Sequence, residues 1–143
     1  MGTEQSKALA LREMQELFGQ VPSWVADMPD NALPGLWSVM RDLQFGETKI
    51  PNKYKALIGL AVSSALRCQY GVLFHTEAAR LWGASDDEIA EAGTMAGMTA
   101  FASTFLNARQ TDYESYRREV LDIVKNVKQQ RLAKGGPLPV GHA

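Results

Sequence analysis

The thiol of Cys68 and the imidazole of His75 are the side chains best suited to chemistry near neutral pH, and they stand seven residues apart. Cys68 is the only cysteine in the 143 residues, which excludes an intramolecular disulfide and a multi-cysteine metal site. The stretch from Cys68 to Gly83 reads as one helix that opens at the cysteine. Partial positive charge at a helix N-terminus favours thiolate over thiol, so this position suits a nucleophile. Residues four apart on a helix are neighbours, so His75 meets position 71, where glycine offers a bare hydrogen. Cys68 lies about 10.5 Å from His75 along the axis at about 1.5 Å per residue, too far for a direct hydrogen bond on one straight helix. The bland alternatives are a buried, inert cysteine and a solvated or structurally satisfied histidine. The second histidine, His142, falls in the C-terminal tail and is expected to be exposed.

The elements around this pair are all helical, with no sustained apolar alternation that would signal a strand. Leu11, Met14, Leu17 and Phe18 form a first stripe ended by Gly19. A short turn lies between Pro22 and Pro29. Asn31 is placed to cap a helix with Pro34 in its first turn, carrying Leu33, Leu36, Trp37, Met40 and Leu43 inward. Pro51 opens the next helix, with Tyr54, Leu57, Ile58, Ala61, Val62, Ala65 and Leu66 on one face. After the Cys68–Gly83 segment, Ser85-Asp86-Asp87-Glu88 forms a capping box ahead of Ile89, Ala92, Met95, Met98, Phe101 and Phe105. Gly93 and Gly97 would let another helix approach closely. Thr111-Asp112-Tyr113-Glu114 reads as a second capping box before a long amphipathic helix. Trp24, Trp37 and Trp82 fall within helical stripes, as core or subunit interface. The expected fold class is all-α, a compact bundle of six to seven helices in a single domain over residues 1–134, with 135–143 a flexible tail.

Composition narrows the function classes. A formal net charge of −1 gives no electrostatic footprint for nucleic acid or an acidic membrane surface. The apolar runs are too short to span a bilayer, and the charged N-terminus lacks the apolar core of a signal peptide. With one cysteine, a cytoplasmic location is the default expectation. The basic end of the last helix (Lys125, Lys128, Arg131, Lys134) complements the helix dipole and needs no nucleic-acid partner.

The run Cys68-Gln69-Tyr70-Gly71-Val72-Leu73-Phe74-His75-Thr76-Glu77-Ala78-Ala79, with Lys55–Val62 before it and Gly83–Ile89 after it, resembles the core of the alkylhydroperoxidase D/carboxymuconolactone decarboxylase family. The resemblance runs from roughly residue 15 to 125 and includes Phe18–Ser23. In the peroxidase-type branch, Cys-x-x-Cys-x-x-x-His opens a helix and a Glu stands twelve residues before the first Cys. The resemblance implies a homo-oligomeric antioxidant peroxidase, a trimer or hexamer, without cofactor or metal, in which two cysteines cycle between dithiol and disulfide. Glu and His relay protons there. Carried over, Cys68 matches the first cysteine and His75 the histidine. Gly71 stands where the second cysteine belongs, and Ala56 where the Glu belongs. Half of the redox centre is therefore missing, and disulfide cycling is expected to be weak or absent.

Three functions remain open on the sequence. The first is thiol chemistry reduced to Cys68, oxidised to a sulfenic acid and reduced by an external thiol. The second is a redox-silent pocket, natural or engineered, in which His75 acts as base or nucleophile on a small molecule. The third is a non-catalytic oligomeric scaffold. Gly71 and Ala56 both subtract volume near His75, so a cavity is expected there, walled by Phe74 and Phe101 and holding water or a small ligand.

Overall fold

The structure is a computed structural model that describes residues 3–135. These form seven α-helices: α1 Thr3–Phe18, α2 Ser23–Ala26, α3 Leu33–Val39, α4 Asn52–Ala65, α5 Gln69–Leu81, α6 Asp86–Ala108 and α7 Tyr113–Ala133. No strand occurs among the described residues. The expected tail and His142 lie outside them, apart from Gly135. No described helix is long and apolar enough to cross a membrane. The chain divides within α6 into two units, Met1–Gly97 and Met98–Ala143.

The first unit holds the buried core. Ala10 and Met14 of α1, Val25 of α2, and Leu33 and Trp37 of α3 pack together, with Leu11, Met28, Met40 and Phe45 against them. Trp37 is buried but its indole N–H is satisfied, donating to Glu13 at 2.6 Å, and Arg41 holds the same carboxylate oxygen at 2.8 Å. These two donors keep the Glu13 carboxyl below its usual pKa. Gly19 ends α1 with φ +75°, a left-handed conformation that glycine adopts without penalty.

Several local expectations change. The residue that caps α3 is Ala32, not Asn31, and it makes no side-chain capping bond; Pro34 at the start of the helix is what favours it. Of the five apolar residues expected inward, Leu33 and Trp37 are buried while Leu36 and Leu43 are exposed. For Leu43 the reason is that α3 passes without a break into a π-helical turn, Met40–Phe45, whose wider winding rotates its residues off the α-helical stripe. On α4 the buried side chains are Asn52, Ala56, Leu60 and Ser63, whereas Tyr54, Ile58, Val62 and Leu66 are exposed. Small residues let α5 approach closely, so the helix turns its small face, rather than its bulkiest one, to that neighbour.

Helix ends follow the expected chemistry more closely. Ser85 and Glu88 make the reciprocal capping box, Glu88 N–H to Ser85 Oγ at 3.1 Å and Ser85 N–H to Glu88 Oε2 at 2.9 Å. The second box is not formed as read: Asp112 caps α7 by accepting from Ser115 N–H at 2.9 Å. A Cβ built on Gly93 or Gly97 meets nothing within 4 Å, so no helix of the first unit uses them for close approach.

The second unit contains the end of α6 and α7, and none of its described residues is buried. Phe101 stacks on Phe105 with ring centroids 6.5 Å apart, and the Arg109 guanidinium lies over the Phe105 ring at 5.8 Å. Trp24 and Trp82 are also partly open to solvent, so only Trp37 of the three is a core residue.

Candidate functional site

The site is built by the antiparallel pair α4 and α5, and its geometry starts from the three-residue link between them, Leu66, Arg67 and Cys68. Arg67 N–H donates to Ser64 C=O at 3.0 Å, and Cys68 N–H donates to Ser63 C=O at 2.9 Å. This is a Schellman closure of α4, with Arg67 at φ +55° in the left-handed position usually held by glycine. It folds the chain back so that Cys68, in extended conformation, becomes the N-cap of α5. The Cys68 sulfur accepts the Gly71 N–H at 3.5 Å, which is how a capping side chain satisfies a free amide of the first turn. The thiol is half-buried and unpaired with any other sulfur.

Two glycines set how closely the helices meet. A Cβ on Gly71 would overlap Ser63 Oγ, come within 2.9 Å of Ser63 Cβ and stand 3.7 Å from Cys68 Sγ. A Cβ on Gly59 would overlap the His75 ring. Ser63 therefore faces Gly71, and Gly59 faces His75. The expectation that Gly71 hollows the space beside His75 is corrected here: position 71 is His75's neighbour along α5, but Ser63 from α4 fills the volume that glycine leaves.

A cavity of about 30 Å³ does adjoin His75, on the other side. Ala56, Ala78, Phe45, Phe74 and Trp82 supply apolar wall, and Gln44, Asn52, Lys55 and His75 supply polar groups. That volume is enough to admit a water molecule. Of the residues picked out from the sequence, His75, Ala56 and Phe74 share this wall. Phe101 belongs to the second unit, and Gly71 and Cys68 lie against Ser63 rather than in this wall.

The floor of the cavity is locked by Lys55. Its ammonium donates to Leu43 C=O and Gly46 C=O, both at 2.7 Å, and to Asn52 Oδ1 at 2.9 Å, while Asn52 Nδ2 donates to Phe45 C=O at 3.0 Å. The carbonyls are those released at the end of the π-helical turn, so this latch ties the turn to the start of α4. Aromatic edges run from the core to the site, Phe18–Phe45 at 5.2 Å, Phe45–Phe74 at 6.2 Å and Phe74–His75 at 5.0 Å. The His75 imidazole makes no hydrogen bond within the described residues, and burial pushes its pKa below the usual 6.5. Burial thus favours the neutral ring, which has one nitrogen able to accept. Among the described residues no group of three or more His, Cys, Asp and Glu could hold a metal ion.

Gly59, Ser63, Lys55 and Asn52 were not singled out by the sequence. A periodicity of small residues on α4 (Ala56, Gly59, Ser63) was the available signal, hidden beneath the bulkier stripe one face away.

The family model for the carboxymuconolactone decarboxylase family matches residues 32–111, a span containing α3, the π-helical turn, α4, α5 and α6. Among solved structures, an alkylhydroperoxidase AhpD core from Rhodospirillum rubrum superposes with a TM-score of 0.66 at 23% identity, covering 80% of this chain and 88% of that one. At that identity the likeness speaks for the fold. No curated protein sequence matches the chain.

Proposed function

The chain belongs to the carboxymuconolactone decarboxylase family, and we propose that it is a thiol oxidoreductase of the peroxidase-like type that works with the single thiol of Cys68. The observation that carries this reading is the Cys68 cap. The sulfur sits at the N-terminus of α5 and accepts the Gly71 N–H, so negative charge on sulfur meets both an amide donor and the positive end of a helix. No second cysteine exists to close a disulfide.

The chemistry runs through an external reductant. The Cys68 thiolate attacks the terminal oxygen of a hydroperoxide; the S–O bond forms, the O–O bond breaks, and the leaving alkoxide takes a proton to become the alcohol. Sulfur is oxidised to sulfenic acid. A small monothiol then attacks that sulfur, expelling water and leaving a mixed disulfide, and a second monothiol releases Cys68 as the first is carried off in an external disulfide. Treating the full chain with cumene hydroperoxide and then 2-mercaptoethanol tests the cycle. Intact mass should show the mixed disulfide on the wild type and none on Cys68→Ser; an unmodified wild-type chain would refute the reading.

A second reading is favoured by one observation, the cavity against an unpartnered imidazole. In it, His75 acts as base or nucleophile toward a small molecule in a redox-silent site. A bound ligand that shifts the His75 ring signals equally in wild type and Cys68→Ser would support it.

We further propose a homo-oligomer, a trimer or hexamer, in the cytoplasm. Exposed Tyr54, Ile58, Val62 and Leu66 line one face of α4, more contiguous apolar surface than an isolated chain ordinarily leaves in water. Light scattering at micromolar concentration should return a multiple of the 15.7 kDa chain mass, and the chain mass itself would count against assembly.

A further inference from the structure

We propose that Ser63 completes a sulfenic acid site at Cys68, its hydroxyl holding the oxygen atom that a hydroperoxide leaves on the sulfur. The inference rests on the reading of Cys68 as the reactive thiol, and adds to it the group that decides how long the oxidised form lasts.

Ser63 is one of two buried polar residues of the described chain, 8% exposed, in the face of α4 that packs on α5. Its hydroxyl makes no hydrogen bond within the described residues. No fully sealed side-chain oxygen or nitrogen lacks a partner among those residues, so this hydroxyl keeps a narrow opening to solvent. A polar side chain this deep without a partner is costly unless something arrives to bond it.

The position of the hydroxyl says what arrives. A Cβ built on Gly71 would overlap Ser63 Oγ and stand 3.7 Å from Cys68 Sγ, so the hydroxyl and the sulfur lie against the same bare backbone position. Cys68 N–H bonded to Ser63 C=O at 2.9 Å fixes the two residues against each other across the Schellman link. An oxygen bonded to Sγ and directed at α4 meets the serine hydroxyl, which both donates and accepts. With glycine at 71 no side chain of that residue stands between the oxygen and Ser63, and with one cysteine in the chain no intramolecular thiol attacks the sulfur.

The step leaves Cys68 as S–OH after reduction of one hydroperoxide to its alcohol. Two fates then compete: attack by an external thiol, which returns the thiol form with loss of water, and oxidation by a second hydroperoxide to sulfinic acid, which does not reverse in the same way. A hydrogen bond from Ser63 to the sulfenic oxygen favours the first by lengthening the life of the intermediate.

The test uses the full chain and a several-fold molar excess of hydrogen peroxide without thiol. Cys68 sulfenic acid is captured with dimedone at successive times and read by intact mass. Wild type should hold the sulfenic form; Ser63→Ala should lose it several-fold faster, with sulfinic acid accumulating, and Ser63→Thr should restore the lifetime. Ser63→Cys places sulfur where the hydroxyl stands, so on oxidation it should form the 63–68 disulfide with release of water and lose dimedone capture. Equal lifetimes in wild type and Ser63→Ala, with no disulfide in Ser63→Cys, would overturn the role of Ser63 while leaving Cys68 reactive. Failure of the wild type to form any sulfenic acid would remove the reading of Cys68 and this inference together.

Discussion

The His75 ring fills the volume that a side chain on Gly59 would need, so the absence of a side chain on one helix positions the imidazole of the next. Gly59→Ala should therefore force the ring out of its place rather than be absorbed, because both helices are closely packed here. Overpacking of this kind costs about 1–3 kcal/mol. Chemical denaturation should register the loss, and the His75 ring signals should move; an alanine variant as stable as wild type, with unchanged ring shifts, would contradict the packing.

Restoring a cysteine at position 71 should fail on its own. A Cβ there overlaps Ser63 Oγ and lies 2.9 Å from Ser63 Cβ, so Gly71→Cys is expected to destabilise by about 1–3 kcal/mol. Ser63→Gly in the same chain opens that space, at a helix cost of about 1 kcal/mol, and the 3.7 Å approach to Cys68 Sγ then brings a 68–71 disulfide within reach. Thiol counting after mild oxidation should find the disulfide in high yield only in the double variant.

The overall fold was legible in the sequence because its signals are local. Gly19, Gly83 and the Ser85–Glu88 box each mark a helix end through bonds made within a few residues, and all three act as read. What escaped depends on a partner helix. The buried face of α4 follows small residues rather than bulky ones, since α5 comes close at Gly59 and Ser63. The π-helical turn at Met40–Phe45 has no propensity signature, and it rotates Leu43 outward. For the site, Cys68 as a helix N-cap was readable from chain position. Ser63 was not, because only the fold-back at Arg67 brings it over Gly71.

Stability should fall with acid through His75. Burial lowers its folded-state pKa below the unfolded value of about 6.5, so between the two values the unfolded chain binds more protons. The contribution is intact above pH 6.5 and is lost as pH drops from there through the folded pKa. Denaturation midpoints across this window should show the loss in wild type, and His75→Gln should flatten it. Ala56→Glu adds a carboxylate to the wall that His75 shares, so NMR titration of the ring should return a higher pKa than in wild type. An unchanged or lower value would place the two positions apart.

On the function proposed above, Cys68 alone reduces hydroperoxide and no disulfide closes within the chain. Hydroperoxide consumption by wild type and Cys68→Ser, with and without a small monothiol, tests it most directly. Without thiol, wild type should consume about one equivalent per chain in a fast phase and then only slowly more, as sulfenic acid passes to sulfinic acid, since oxidised Cys68 has no internal partner. Adding monothiol should restart consumption, and Cys68→Ser should be inert in both conditions. Consumption by Cys68→Ser at the wild-type rate would contradict the account.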